Sequence, residues 1–117
     1  MRLTEITFDS AKPIDGYGPG FWRVAGQVIT GPALVTPWDA GPWGGLTDTA
    51  GPLSLLGRID VLFVGMGAEI AHVPVPFRTT LEDAGIGVEV MNSPAAARTY
   101  NVLLSEGRRV AVALLPV

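Results

Sequence analysis

The 117-residue sequence predicts an α/β domain in which an antiparallel β-meander precedes a β-α-β-α-β half. Three observations predict this fold class. Two short runs of strand-forming residues, Val61 to Val64 and Val88 to Met91, are bounded by glycines, and a helix signal follows each of them. A third run, Val110 to Leu115, is continuously apolar, as in strands that are covered on both faces. Short glycine-bearing connections between these segments favour right-handed crossovers and parallel strands in one sheet.

The first third of the chain predicts strands joined by tight turns. Leu3 to Phe8 alternates apolar and polar residues with the period of two that is typical of a half-buried strand. Phe21 to Val24 and Gln27 to Thr30 are separated by two residues that end in glycine, and they predict a β-hairpin. Ala33 to Thr36 follows Gly-Pro and predicts a third antiparallel strand. These strands form the predicted meander, which either extends the parallel sheet or packs on it.

Two segments rich in glycine and proline lack any periodic pattern. Residues 16–20 predict a tight turn, with Tyr17 packed as a plug or with room for another group to approach closely. Residues 37–52 predict a long loop, which is uncommon in a compact domain unless the loop is functional or disordered. Trp38 and Trp43 argue against disorder. They are candidate anchors for a protein partner, and the alternative is that they fold back over one end of the core.

Helix signals occur at three places. Leu53 to Leu56 predicts a single helical turn. A short helix is predicted to begin at Pro76 and to end at Gly85. A longer helix is predicted to begin at Ser93, which precedes a proline, and to end at Gly107. The predicted inward faces are Phe77, Thr80, Leu81 and Ala84 in the short helix, and Ala96, Ala97, Tyr100, Leu103 and Leu104 in the longer one.

Composition limits the possible functions. The chain has the length of one domain and is too short for separate substrate and cofactor domains. The absence of cysteine excludes disulfides, thiolate zinc sites, iron–sulfur ligation and a cysteine nucleophile. A net charge of -3 without a basic block argues against nucleic-acid binding. The N-terminus lacks an apolar signal core, and the longest apolar run, Val110 to Val117, is far short of the roughly 20 residues of a membrane helix, so we expect a cytoplasmic protein with no membrane span.

The turn that contains Gly65 and Gly67 superficially resembles a dinucleotide-binding fingerprint, because it follows a strand and Glu89 lies about twenty residues later. However, Ile70 replaces the third glycine, and no helix begins at the turn to direct its N-terminus at a pyrophosphate. His72 is the only histidine, and no nucleophile–base pair or set of ligands with metal-binding spacing is recognisable. We therefore predict no cofactor, no metal site and no catalytic residue.

Arg98 lies in the first turns of the longer helix, where a cation opposes the helix macrodipole and needs a compensating anion. Its side chain is expected to lean back toward the free N–H groups at the helix start. Two interpretations stay open. Arg98, Asn101, Gly65 and Gly67 form an anion-binding site, or Arg98 forms an internal ion pair that locks the helix to the sheet. The candidate carboxylates for such a pair belong to Asp60, Glu69 and Glu89.

Three stretches of the chain resemble one protein family: IDGYGPGFWRV, LFVGMG and GIGVEVMNSPAAARTYNVLLSEGRRVAVALLP. It is the domain-of-unknown-function family that includes mitochondrial NADH dehydrogenase (complex I) assembly factor three and the archaeal-type Mth domain of the adipogenesis-associated protein. The resemblance extends from Ile14 to Pro116 and is weakest in residues 37–52. It implies a compact three-layer α/β fold with a mixed central sheet. Relatives often have cysteine at the position of Ala97, so a thiol role in them cannot operate here.

The resemblance implies no established catalytic activity. For the mitochondrial relative it implies a scaffold role in complex I assembly, together with a partner assembly factor. We therefore interpret the chain as a non-enzymatic interaction module that binds a protein partner, such as an assembly intermediate of a membrane complex. The alternative is a small-molecule or anion-binding domain, or an enzyme, that uses Gly65, Gly67, Arg98 and Asn101.

Overall fold

The computed structural model describes residues 12–117, so the predicted strand Leu3 to Phe8 lies outside the described residues. The first strands are β1 (Ile14–Gly18), β2 (Phe21–Val24), β3 (Gln27–Thr30), β4 (Ala33–Val35) and β5 (Ala40–Pro42). The later strands are β6 (Val61–Gly65), β7 (Gly87–Met91) and β8 (Val110–Leu114). The helices of this part of the chain are α1 (Ala50–Leu53), α2 (Val75–Ala84) and α3 (Ser93–Ser105).

The strands form a small antiparallel sheet of order β1-β2-β3 and a five-stranded central sheet of order β5-β4-β8-β6-β7. In the central sheet, β6 pairs in parallel with both β7 and β8, while β4 is antiparallel to β5 and β8. The predicted α/β class, mixed central sheet and β-α-β-α-β half are therefore confirmed.

Two apolar clusters cover the two faces of the central sheet. On one face, α3 and the small sheet cover Phe63, Val112 and Leu114. On the other face, α2 and the residues before β6 cover the alternate residues of the same strands: Leu62, Val64, Ala111 and Ala113. Both faces of β6 and β8 are thus apolar, which explains their uninterrupted hydrophobic runs. The result is a three-layer arrangement around the central sheet.

The predicted hairpin is confirmed: β2 and β3 pair across Ala25 and Gly26. Both turn residues have positive φ, as two-residue turns of the mirror-image type I require. The predicted third strand of this meander was wrong. β4 pairs with β5 and β8 instead, because Ala33 and Val35 are buried on one side while Leu34 packs on the other, which suits the interior of the central sheet. The third strand of the small sheet is β1, which takes in part of the predicted turn around Tyr17.

Residues 37–52 are not one aperiodic loop, because they include β5 and begin α1. The predicted helical turn lies earlier than expected, at Ala50–Leu53. Helix α2 begins one residue before Pro76, and Thr80 is exposed although its predicted partners Phe77 and Leu81 are buried. Helix α3 is capped by Asn92 rather than by Ser93, since the Asn92 side chain accepts a hydrogen bond from the Ala95 N–H.

Candidate functional site

The carboxyl ends of β6 and β8 are joined by Ser93, the buried first residue of α3. Its hydroxyl donates to the Leu115 carbonyl at 2.6 Å and accepts from the Gly67 N–H at 2.8 Å. Its backbone N–H donates to the Gly67 carbonyl at 2.7 Å. Strand ends of this kind are where open α/β sheets usually bind ligands. Here the polar groups at this place are paired with each other.

The two glycines of the predicted anion site have structural reasons to be glycine. A Cβ at Gly65 would lie 2.6 Å from the Ser93 Oγ and 2.7 Å from the Ser93 Cα, closer than packing allows. Gly67 has φ of +96°, a conformation that residues with a side chain rarely adopt. Close packing of α3 against β6 therefore accounts for Gly65, and the backbone conformation accounts for Gly67.

Asn101 uses both ends of its side-chain amide to hold β1. Its Oδ1 accepts from the Ile14 N–H at 2.8 Å, and its Nδ2 donates to the Ile14 carbonyl at 2.9 Å. The adjacent Tyr100 is fully buried and donates its hydroxyl hydrogen to the Lys12 carbonyl at 3.0 Å. Burial raises the pKa of the Tyr100 hydroxyl above its ordinary value. These two side chains fasten the entry to β1 onto α3.

Arg98 is exposed on α3 and lines, together with Asn101 and residues of β1, an open cavity of about 260 Å³. Gly65 and Gly67 are not among the residues that line it. Within residues 12–117 the ion pairs are Arg78 with Glu82 and Arg109 with Asp60, so the expected internal pair of Arg98 is not formed there. The four residues of the predicted anion site thus occupy two separate settings.

Trp43 is a core residue, 4% exposed. Its ring packs edge-on against Phe77 with centroids 6.0 Å apart, and its Nε1 donates to the Asp48 carbonyl at 3.0 Å. The Asp48 carboxylate accepts from the N–H groups of Gly51 and Gly44, which lowers its pKa below the ordinary value. The structure therefore shows the second interpretation for Trp43, in which the ring folds back over the core.

Trp38 has the opposite setting, with 40% of its surface exposed. The Arg58 guanidinium lies over its ring, 4.0 Å from the centroid, which is a cation–π geometry. The buried Thr36 hydroxyl accepts from the N–H groups of Trp38 and Asp39, both at 3.0 Å, and so fixes the turn. A rigid turn therefore presents an aromatic and a guanidinium side by side at the surface. Arg58 and Thr36 were not singled out from the sequence, because no periodic or motif signal links them to Trp38.

The part of the chain that the structure describes holds no group of three His, Asp or Glu side chains that could bind a metal ion. None of its helices is long and apolar enough to cross a membrane. The Trp38–Arg58 pair is exposed at the surface and is therefore a candidate contact site.

Comparison with known proteins identifies the family. A family model described as "Protein of unknown function (DUF498/DUF598)" matches residues 14–115. The chain belongs to this family. The resemblance inferred from the sequence is thereby confirmed, and the matched residues lie within the stretch from Ile14 to Pro116.

Among DUF498/DUF598 relatives, an uncharacterised protein of Rhodobacter capsulatus is 53% identical and aligns with all of this chain and 94% of its own length. The mouse protein named NADH dehydrogenase [ubiquinone] 1 alpha subcomplex assembly factor 3 is 30% identical over 99% of this chain. Its zebrafish counterpart is 33% identical over 88% of this chain. The chain spans 66% and 63% of the lengths of these two assembly factors.

Solved structures share the fold. A Bartonella henselae protein described as an outer membrane protein superposes with a TM-score of 0.81 at 34% identity, covering 91% of this chain and 95% of its own. A Bordetella pertussis protein described as a Mth938-like domain superposes with a TM-score of 0.73 at 27% identity, covering 90% of this chain and 85% of its own. The predicted fold of the family is thus confirmed by relatives of known structure.

Proposed function

We propose that this chain is a non-enzymatic factor that binds another protein and assists the assembly of a membrane-bound complex, NADH dehydrogenase in the first instance. The observation that carries the proposal is the exposed Trp38 ring under the Arg58 guanidinium, since Trp and Arg are the residue types in which interface binding energy concentrates. Homology with proteins named as assembly factors of that complex supports the same role. Trp43, by contrast, contributes to folding and not to the contact.

The closed ends of the parallel strands support binding over catalysis. Ser93 pairs with Gly67 and Leu115 at the place where a ligand would otherwise enter. The Asn101 amide is likewise engaged by the β1 backbone. An enzyme or anion-binding domain built on Gly65, Gly67, Arg98 and Asn101 would therefore have to break bonds that hold the fold. The partner in our proposal is a protein, not nucleic acid. In this proposal the chain itself does not span the membrane and meets its partner on the cytoplasmic side.

The test is complementation in the native organism after deletion of the gene. We expect less assembled NADH dehydrogenase on native gels and lower NADH oxidation by membranes, and we expect the wild-type chain to restore both. Trp38→Ala should restore neither while keeping the melting temperature. Val102→Ala removes an exposed apolar side chain elsewhere, on α3, and should complement fully. Normal assembly in the deletion strain, or full complementation by Trp38→Ala, would contradict the proposal.

A further inference from the structure

The outer edge of β7 has backbone groups that the described fold leaves open. The Gly87 N–H donates to the Asp60 carbonyl and the Met91 carbonyl accepts from the Met66 N–H, both at 2.9 Å, so these residues face β6. Because successive residues of a strand alternate in direction, Val88 and Val90 direct their N–H and C=O groups away from the sheet. Within residues 12–117, the hydrogen bond made to these outward groups is that of the Arg78 Nη1 to the Val88 carbonyl, at 3.2 Å.

A cavity lined by both apolar and polar residues adjoins this edge. It has a volume of about 290 Å³ and is lined by residues 70–73, Arg78 and Val90. Ile70, on its rim, is 66% exposed. The side chains of Val88 and Val90 belong to the α2 face of the sheet. Residues directly opposite each other in an antiparallel pair share a face, so a strand added here would place two side chains beside the cavity. Apolar residues fit those two positions.

The residue between these positions has the opposite character. Glu89 is exposed on the other face of β7 and takes part in neither ion pair of the described residues. A strand that covers Val88 and Val90 would bring one residue directly opposite Glu89, where an opposite charge stabilises the pair and a like charge destabilises it. The added strand therefore needs a lysine or arginine at this place.

The same charge argues against a second copy of this chain. Two β7 strands that satisfied all the outward groups would pair Val88 of one copy with Val90 of the other. That register would set Glu89 against Glu89, the like-charge arrangement that destabilises a strand pair. A different polypeptide is the better occupant.

We propose that the outer edge of β7 binds an extended segment of a partner protein in which a basic residue is flanked by two apolar residues. The segment adds a strand to the central sheet and directs its apolar side chains toward the cavity. Its backbone N–H replaces Arg78 as the hydrogen-bond donor to the Val88 carbonyl. The inference rests on the protein-binding role proposed above, to which it adds a second contact. This contact lies at the edge of the central sheet opposite to β5, which directly follows the turn of Trp38.

The first experiment uses a synthetic peptide of about seven residues, the length of an ordinary strand, with threonines around a central Val-Lys-Val. We expect saturable binding by calorimetry and shifts of the Val88 and Val90 amide signals by NMR. Glu89→Lys should weaken binding roughly fivefold, and exchanging the peptide lysine for glutamate should restore it. Glu106→Lys reverses an exposed carboxylate at the end of α3 and should leave the affinity unchanged.

Backbone methylation tests the strand geometry without altering the protein. Methylation of the two valine nitrogens of the peptide removes the two N–H groups that face β7. Because one hydrogen bond is lost at each nitrogen, the affinity should fall at least tenfold. Methylation of the lysine nitrogen, which points away, should leave binding intact. Absence of peptide binding, equal loss from both methylations, or sedimentation of the chain as a dimer joined through β7 would overturn the proposal. Trp38→Ala should bind the peptide like wild type, so failure of the assembly role and failure of this surface are distinguishable.

Discussion

Trp43 and Trp38 lie in the same connection between β4 and β6, yet the fold uses them in opposite ways. Trp43 packs on Phe77 and donates its indole N–H to the Asp48 carbonyl, so its apolar area is already buried within the domain. Trp38 sits on a turn fixed by the Thr36 hydroxyl and keeps its ring accessible beneath Arg58. Residue type is the same at both positions, so the contacts of the surrounding chain account for the difference between the two rings. Stability and binding should therefore separate cleanly between the two residues.

The largest expected effect is that of Trp43→Ala. Removing a buried indole leaves a cavity against Phe77 and deprives the Asp48 carbonyl of its donor, so the free energy of unfolding should fall by about 3–5 kcal/mol. Urea denaturation followed by circular dichroism measures this change. Trp38→Ala is the matched control and should cost less than about 1 kcal/mol. Equal losses of unfolding free energy in the two variants would contradict the contrast between a buried and an exposed tryptophan.

A similar contrast between inward and outward side chains exists on α3. Asn101→Ala leaves the Ile14 N–H and C=O without partners, so we expect a loss of about 1–3 kcal/mol in the free energy of unfolding. Arg98→Ala should change it by less than about 0.5 kcal/mol, because the side chain is exposed. Thermal melts with and without phosphate provide the second readout. Stabilisation by phosphate that disappears in Arg98→Ala would support the anion-binding alternative.

Acid should weaken the hydrogen bonds that the Asp48 carboxylate makes beside Trp43. The N–H groups of Gly51 and Gly44 lower the pKa of the Asp48 carboxyl in the folded chain below its ordinary value of 3.8. The unfolded chain therefore takes up this proton at a higher pH than the folded chain does, and the contribution of Asp48 to stability is complete above pH 3.8 and lost as the pH falls below it. Melting temperatures between neutral and acid pH should decline less steeply in Asp48→Asn than in wild type. Parallel declines would show that other carboxyl groups account for the acid sensitivity.

The smallest effect concerns the Trp38–Arg58 pair itself. An exposed cation–π contact contributes roughly 0.5–1 kcal/mol, and a double-mutant cycle with Trp38→Ala and Arg58→Ala isolates that coupling. Arg58→Lys should keep part of this coupling energy, because an ammonium group is still attracted to the ring. A coupling energy near zero would mean that Arg58 does not orient the Trp38 ring, although Trp38 alone can still serve as the anchor.

Local signals predicted most of the central fold from the sequence. Val61 to Val64 is a short apolar run closed by glycine, and Pro94 sets the start of a helix, so β6 and α3 needed no tertiary information. The position of β4 was different. Ala33–Val35 is only three residues long, too short for its periodicity to separate a meander strand from an interior one, and its partner β8 is far away in the chain. Long-range pairing of this kind leaves no local trace.

The candidate site shows the same limit. The sequence singled out both tryptophans, but an aperiodic segment has no period from which to tell the buried ring from the exposed one. The sequence suggests a ligand-binding turn at Gly65, and it carries no local signal of the contact with Ser93. That contact is made across the fold, where a Cβ on Gly65 would come within 2.6 Å of the Ser93 Oγ. Arg58 was not predicted at all. Its position over Trp38 depends on the path of the chain between α1 and β6.

The hydrogen bonds that join α3 to the start of β1 also affect how the chain folds during its synthesis. Asn101 bonds to Ile14 across 87 residues of sequence, and Tyr100 bonds to Lys12 across 88. A nascent chain on the ribosome emerges N-terminus first, so residues 12–14 leave the exit tunnel long before the helix that holds them has been made. The hairpin β2–β3 can form early from local contacts, while the final anchoring of β1 waits until α3 has been synthesised.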